Sequence, residues 1–298
     1  MSNKIGGKTA SEWANLGLKN FDSKNFKEAI ECFENALKIS PKNGAIWSNL
    51  GVTYENIGNY EKEIESSQKA IEIDPRDTSA WYNCGVGYGK LGKTQKAIEC
   101  YQKAVELNPK DKFAWSNLGH EYINIKDHQK AIECFEKIVK IDPNYLIAWK
   151  NLGHLYNLIR NFKKTIEIYN QVIKTDPNDS KVWYNLGLAH FNLERDKMAI
   201  ECYEKAVKID PKYAAAWNNM GFAYSNLGKY QNALECYEKA LEIDPNHLNA
   251  LFNMGIANVN LGNKNKALGN FEAVQKLDPK NIEVKEYLLK LRKELKKK

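Results

Sequence analysis

Proline recurs along this chain at one fixed interval. It occurs eight times in 298 residues, and each occurrence follows the previous one by 34 positions. Tryptophan has the same interval seven times, Leu251 takes the eighth place, and a glycine follows four residues after each of these positions. The prolines are Pro41, Pro75, Pro109, Pro143, Pro177, Pro211, Pro245 and Pro279, and the tryptophans are Trp13, Trp47, Trp81, Trp115, Trp149, Trp183 and Trp217. Such self-similarity predicts a solenoid in which each unit packs only on its neighbours.

Each unit contains two helical patterns. Counted from the tryptophan, Leu at +3, Gly at +4 and often Tyr at +7 lie on one face of a first helix. Ala at +16, Ile or Leu at +17, an aromatic residue at +20 and a small or β-branched residue at +23 mark a second helix. The Asp-Pro or Asn-Pro pair then ends that helix. Four residues are placed to cap the helix that follows: Asp77, Asp111, Asp179 and Asn281.

The turn between the two helices lies at +11. Glycine occupies it in four units and suits a positive φ there: Gly58, Gly92, Gly228 and Gly262. The other four units have Lys24, Lys126, Arg160 and Glu194 at this position. We therefore predict that these four residues either tolerate a positive φ or use another turn.

The pattern W-x2-L-G-x2-Y, followed by A-x3-[FY]-x2-A and a closing proline, resembles the tetratricopeptide repeat over Ala10–Asn281. The resemblance implies an all-α solenoid, a right-handed superhelix of antiparallel helix pairs whose first helices line the concave side. It places a short polar segment at 1–9, eight repeats at 10–43, 44–77, 78–111, 112–145, 146–179, 180–213, 214–247 and 248–281, and a basic capping helix at 282–298. In that last segment an apolar stripe comprises Val284, Leu288, Leu291 and Leu295.

Repeat two departs from the pattern inside the array. Glu63 occupies the small alanine position, and Ser67 occupies the aromatic position. We predict that this repeat packs less well than its neighbours.

The tryptophan and the residues at +3, +4 and +7 mark the side of each first helix that is expected to face the core. The opposite side is neutral and rich in amides. Asparagine stands at +2 in all eight repeats, although it is a mediocre helix former. An asparagine side chain offers both a donor and an acceptor, so it can pair with a peptide backbone of any sequence. The predicted peptide-binding residues are Asn15, Asn49, Asn83, Asn117, Asn151, Asn185, Asn219 and Asn253 at +2, Asn124, Asn192 and Asn226 at +9, His120, His154 and Phe222 at +5, and Tyr82, Lys150 and Tyr184 at +1.

These residues predict a non-catalytic scaffold that binds an extended peptide or partner protein in its concave groove. The amide row is similar to the asparagine ladder of O-GlcNAc transferase and of peroxisomal targeting receptors. The alternative is that the asparagines belong to the repeat consensus and make only local bonds. No nucleophile, nucleotide-binding or zinc signature is present, so neither an enzyme activity, a metal nor a cofactor is predicted. His120 and His154 are interpreted as polar groove contacts.

The net charge of +7 is unevenly distributed. Residues 282–298 contain seven Lys/Arg against three Glu, which leaves +3 for the other 281 residues. Nucleic-acid or acidic-partner binding through this tail, ending in Lys297 and Lys298, is therefore an alternative, but a basic groove is not predicted. A second alternative is the repeat module of a glycosyltransferase-type enzyme without its catalytic domain. A partner that is extended and not strongly acidic is favoured, and self-association through the solenoid ends is left open.

Compartment is indicated by apolar runs and cysteines. The sequence contains no apolar run of 18 residues, so no membrane span is predicted. Its polar start lacks the apolar region of a signal peptide. Five of the six cysteines lie 19 residues after a tryptophan, and no two have CxxC spacing. The sequence thus predicts unpaired, half-buried thiols, no dithiol motif and a cytoplasmic location.

Overall fold

The computed structural model describes residues 4–296, within which it contains seventeen helices. They are α1 (Ala10–Asp22), α2 (Phe26–Ile39), α3 (Gly44–Asn56), α4 (Tyr60–Ile73), α5 (Thr78–Lys90), α6 (Thr94–Leu107), α7 (Lys112–Asn124), α8 (His128–Ile141), α9 (Leu146–Leu158), α10 (Phe162–Thr175), α11 (Ser180–Asn192), α12 (Asp196–Ile209), α13 (Ala214–Asn226), α14 (Tyr230–Ile243), α15 (Leu248–Asn260), α16 (Lys264–Leu277) and α17 (Ile282–Leu295). The first helix of each repeat, and α17 after the last repeat, begin at intervals of 34 residues.

The chain divides into two compact units, residues 1–148 and 149–298. Within unit 1 the helices pack as successive hairpins, α1 on α2 through α7 on α8, and the second helices α2, α4 and α6 also pack on the first helix that follows. Unit 2 repeats this arrangement from α10 to α16, and α17 packs on α16. The predicted all-α solenoid is confirmed. Among residues 4–296 no helix is long and apolar enough to cross a bilayer.

The recurring glycine of each first helix lies against the second helix of the same repeat. In seven repeats a Cβ added to this glycine would come within 2.4–2.9 Å of the ring at +20, so only a hydrogen fits there. The contact is tightest between Gly153 and Tyr169. Close packing of ring on backbone outweighs the roughly 1 kcal/mol that glycine costs inside a helix.

The tryptophan and the proline share one period because they are hydrogen-bonded. The indole Nε1 of Trp47 donates to the carbonyl oxygen of Pro41 at 2.9 Å, and the same six-residue bond recurs from Trp81, Trp115, Trp183 and Trp217. In the first repeat no proline precedes Trp13, and the carbonyl of Ile5 accepts instead at 2.9 Å. Each such bond ties the turn that ends one repeat to the first helix of the next.

Predicted turns and caps have the expected geometry. Gly58, Gly92, Gly228 and Gly262 have φ between 68° and 76°, and Lys24, Lys126, Arg160 and Glu194 have φ between 58° and 62°. The second group therefore tolerates the left-handed conformation. Asp77, Asp111, Asp179 and Asn281 each accept a backbone N–H from the following helix, as predicted.

Repeat two contains buried polar atoms without partners. Glu63 and Ser67 are both 0% exposed, and neither the two carboxylate oxygens nor the hydroxyl has a hydrogen-bond partner. Gly87 of α5 leaves room for this part of α4, since a Cβ there would lie 2.7 Å from Ile64 Cγ1 and 3.2 Å from Glu63 Oε2. These buried groups agree with poorer packing of repeat two, which stays a prediction.

The last repeat is covered by α17, which packs on α16. Val284, Leu288 and Leu291 are buried, whereas Leu295, the fourth member of the predicted stripe, is only half-buried. The ring of Tyr287 stacks on Phe271 with centroids 4.9 Å apart. Lys297 and Lys298, on which the tail alternative partly depends, lie outside the described residues.

One prediction about the cysteines is wrong. All six are free thiols, but they are buried rather than half-buried. Linear spacing predicts no dithiol, yet the packing of α6 on α5 brings Cys84 and Cys100 into one buried cluster with Ile64. Residues 16 apart in sequence meet here because they lie on the facing sides of a hairpin.

Candidate functional site

The row of asparagines at +2 is only partly accessible. In unit 1, Asn15 is exposed, Asn49 and Asn117 are half-buried, and Asn83 is 7% exposed. In unit 2 all four members of the row are half-buried: Asn151, Asn185, Asn219 and Asn253. These side chains therefore present an edge, rather than the whole amide, to solvent.

Three amides of this row donate hydrogen bonds to the preceding repeat. Asn117 Nδ2 lies 3.2 Å from the hydroxyl of Tyr82 in unit 1. In unit 2, Asn219 Nδ2 lies 3.0 Å from the hydroxyl of Tyr184, and Asn253 Nδ2 lies 3.3 Å from Asn218 Oδ1. The donor is always at +2 and the acceptor at +1 of the repeat before it. Part of the row thus makes local bonds between repeats, as the consensus alternative expects.

The asparagines at +9 also donate within the chain. Asn192 Nδ2 donates to the backbone carbonyl of Leu188 at 2.8 Å, one turn earlier in α11. Asn124 Nδ2 donates to Glu121 at 3.3 Å, and Asn226 Nδ2 donates to Asp196 at 3.1 Å. All three residues are exposed and lie at the C-terminal ends of the first helices.

The other predicted contacts differ in accessibility. His120 and His154 are exposed, and His120 Nδ1 lies 2.8 Å from the carbonyl of Ser116, which places the ring proton on Nδ1. Phe222 is 41% exposed. Lys150, in contrast, donates to Asp179 at 2.6 Å and to Asp176 at 3.0 Å. Its charge is therefore largely matched by two carboxylates of the same unit.

A cavity of about 390 Å³ in unit 1 lies between α3 and α5 and the turn before α7; we call it the Asn49 cavity. Asn49, Tyr82 and Asn83 line it, together with Val52 of the +5 row. Neither Asn49 nor Asn83 makes a side-chain hydrogen bond within residues 4–296. Its lining is Ser48, Asn49, Val52, Thr78, Ser79, Tyr82, Asn83, Asn108 and Asp111.

A second cavity of about 380 Å³, the His120 cavity, shares Tyr82 with the first. Asn117 and His120 line it, as do three charged residues, Glu55, Lys90 and Glu121. Glu55 and Glu121 are not among the residues predicted from the sequence. The lining is Glu55, Tyr82, Val86, Gly89, Lys90, Tyr101, Asn117, His120 and Glu121. These charges lie at +8, +9 and +6 of three successive first helices, and positions compared on a single helix do not show that the three side chains line one cavity.

Two additional glycines in α5 signal this arrangement. A Cβ on Gly89 would lie 2.9 Å from Glu121 Oε1, and Gly87 leaves room for Glu63. Other first helices have no glycine at these two positions. Carboxylates from the repeats on either side therefore approach α5 where its side chains are missing.

Burial dominates the electrostatics around Tyr82. It raises the pKa of the Glu55 carboxyl, and the nearby Lys90 opposes that shift. Burial, together with repulsion from Glu55, raises the pKa of Glu63 to about 8. Burial also raises the pKa of Tyr82, and the hydrogen bond that Asn117 donates to the phenol oxygen opposes that shift.

Comparison with family models agrees with this geometry. The model described as Cilia and flagella-associated protein 70 C-terminal domain, a tetratricopeptide-repeat model, matches residues 77–278. Tetratricopeptide repeat models match residues 10–43 and 32–65, and the Protein prenyltransferase alpha subunit repeat model matches residues 60–86. The chain belongs to the tetratricopeptide repeat family. No curated protein matches it.

Solved structures with this fold come from several proteins. YrrB, described as a TPR protein with an unusual peptide-binding site, is 24% identical with a TM-score of 0.57, over 63% of this chain and 97% of its own. MamA is 26% identical with a TM-score of 0.54, over 57% and 92%. A tetratricopeptide repeat protein from Parabacteroides merdae is 20% identical with a TM-score of 0.54, over 83% and 98%. Their common feature is the repeat fold.

Proposed function

We propose that this tetratricopeptide repeat protein is a non-catalytic scaffold that binds an extended peptide or partner protein along its first helices. Proteins of this repeat family bind protein or peptide partners and are typically non-catalytic. The observation that carries the proposal is the pair of cavities in unit 1 that share Tyr82 and are lined by Asn49, Asn83, Asn117 and His120. Residues predicted for peptide contact thus line both cavities.

The hydrogen bonds between repeats refine the proposal. Where Nδ2 of Asn117 donates to Tyr82, the amide oxygen remains as an acceptor for a peptide N–H. Asn49 and Asn83, with no side-chain partner in the described part of the chain, keep both the donor and the acceptor. Each bond to the peptide contributes about 1 kcal/mol, which is roughly a fivefold change in affinity.

The charges favour a partner that is not strongly acidic. Glu55, Glu121 and Lys90 all line the His120 cavity, so an added carboxylate would meet two acidic side chains and one basic side chain. Lys150 of unit 2 is already paired with two aspartates. Buried free thiols suit a reducing compartment, and we place the protein in the cytoplasm.

Among the described residues, the charges of α17 do not favour a second function for the tail. Arg292 pairs with Glu272 at 2.8 Å, and Glu294 pairs with Lys264 at 2.9 Å. One basic and one acidic side chain of α17 are thus each paired with an oppositely charged side chain of α16. A nucleic-acid interaction remains an outcome that the binding experiment separates by its salt dependence.

The test is selection from a library of random, unstructured twelve-residue peptides, followed by calorimetry on the peptides selected. Asn49→Ala and Asn49→Asp are expected to weaken binding about fivefold or more, because the first removes the amide and the second replaces its donor with a charge. Asn170→Ala is the matched control, since Asn170 is an exposed asparagine on a second helix, α10. Circular dichroism verifies that each variant is folded.

Two results would contradict the proposal. One is that selection enriches no peptide above the background of an unrelated helical protein. The other is that the selected peptides bind Asn49→Ala and Asn49→Asp as tightly as the wild type, which would place their site elsewhere.

A further inference from the structure

Repeat three differs from the other repeats by a second cysteine. Cys84 occupies the +3 position of α5, where the other seven repeats have leucine or methionine. Cys100 occupies the +19 position of α6, which is also cysteine in four other repeats. Only in repeat three do both positions carry a thiol. The side chains are 1% and 5% exposed and pack with Ile64.

The two thiols lie in one buried cluster with Ile64, and both line the same cavity. The neighbouring Cys84 thiol lowers the pKa of Cys100, and Lys96 acts in the same direction. In contrast, burial raises the pKa of Cys134, Cys202 and Cys236, which occupy the same +19 position, to about 12.

A cavity gives reagents a route to this pair. About 490 Å³ in volume, it is lined by both cysteines and by Trp81, Tyr88 and Lys96. The corresponding cavity one repeat earlier has about 510 Å³, and Leu50 and Ser66 stand in place of the two cysteines. The space is thus common to adjacent repeats, whereas the chemistry belongs to repeat three.

We propose that Cys84 and Cys100 form an oxidisable dithiol, which a low-molecular-weight disulfide converts into an intramolecular disulfide between α5 and α6. This inference is independent of the peptide-binding proposal.

Thiol–disulfide exchange describes both steps. The Cys100 thiolate attacks one sulfur of the reagent, the reagent's S–S bond breaks, and one thiolate leaves. Cys84 then gives its proton to solvent and attacks the Cys100 sulfur, which expels the second thiolate. The protein loses two protons and two electrons, and the reagent gains both as two thiols. Cys84 lies in the same buried cluster as Cys100, so the second step needs no partner molecule.

The experiment treats the reduced full-length protein with 4,4′-dithiodipyridine and follows the release of 4-thiopyridone. The expected result is a fast phase of two equivalents, roughly tenfold or more ahead of the remaining four thiols, because a thiolate is the attacking species. Peptide mapping without reductant should then identify a Cys84–Cys100 link. Cys134, Cys202 and Cys236 are internal controls that need no substitution.

Two variants isolate the pair. Cys84→Leu introduces the residue found at this position in five other repeats and should abolish both the link and the fast phase of two equivalents. Cys84→Ala provides the same test if the leucine disturbs packing, and Cys202→Ala should leave the fast phase unchanged. The proposal is overturned if wild-type Cys100 reacts no faster than the internal controls, or if the mixed disulfide at Cys100 persists without forming the link.

Discussion

Replacing Glu63 by glutamine should change how the stability of the protein depends on pH. The carboxylate is 0% exposed and unpaired, and it faces the acidic Glu55 of α3 and the basic Lys90 of α5. Burial and Glu55 raise its folded pKa from 4.5 to about 8, so the folded state holds a proton that the unfolded chain releases above pH 4.5. Stability is therefore lost as pH rises from about 4.5 to about 8, and above that the loss is constant.

The magnitude follows from linkage. At about 1.4 kcal/mol per pKa unit, the loss is about 1 kcal/mol at pH 5 and about 4 kcal/mol at pH 8. Glu63→Gln keeps the shape but cannot ionise, so it should match the wild type near pH 5 and exceed it by about 3–4 kcal/mol at pH 8. Urea unfolding followed by circular dichroism at both pH values measures the difference. Glu65→Gln, on the exposed face of the same helix, is the matched control variant.

Parallel stability curves for the wild type and Glu63→Gln would refute this reasoning. That outcome would mean that the carboxylate finds water or a cation in solution, and that its ionised form is tolerated inside repeat two.

Three further predictions concern other parts of the array. Gly153→Ala should destabilise the folded protein by several kcal/mol, because its Cβ would lie 2.4 Å from a ring atom of Tyr169. Gly269→Ala on α16, where a Cβ would meet nothing within 4 Å, should stabilise it by about 0.5–1 kcal/mol in the same urea experiment. In a double-mutant cycle, Asn117→Ala and Tyr82→Phe should be coupled by about 1 kcal/mol, and strict additivity would show that their hydrogen bond contributes nothing. Burial lowers the pKa of His190, so stability should fall as pH drops below about 6.5, and His190→Tyr, the residue of most other repeats, should remove that acid sensitivity; an unchanged acid profile would count against it.

Features that depend on one helix or one turn were predictable from the sequence. Periodicity located the helix pairs, and Asp77 and Asp111 act as caps because a cap needs only its own three following residues. Lys24 adopts the positive φ that its position in the repeat required.

Features that join different repeats were not predictable in this way. The bond from Asn117 to Tyr82 spans 35 residues, and the charges of the His120 cavity come from three helices. Positions compared on one helix at a time cannot reveal that side chains of different helices converge. Cys84 and Cys100 were missed for a related reason, since linear spacing does not measure distance across a hairpin.

The bond from each indole to the proline carbonyl has a practical consequence for anyone lengthening or splicing this array. It closes a small ring, made of six residues of chain and one hydrogen bond, at the junction between successive repeats. One residue inserted inside that ring would move the carbonyl away from the indole, whereas an insertion at the turn containing Gly58 or Gly92 leaves every ring closed. The proline turn between repeats and the glycine turn within a repeat are both on the surface. Only the glycine turn is a suitable place for a fusion or a new chain terminus.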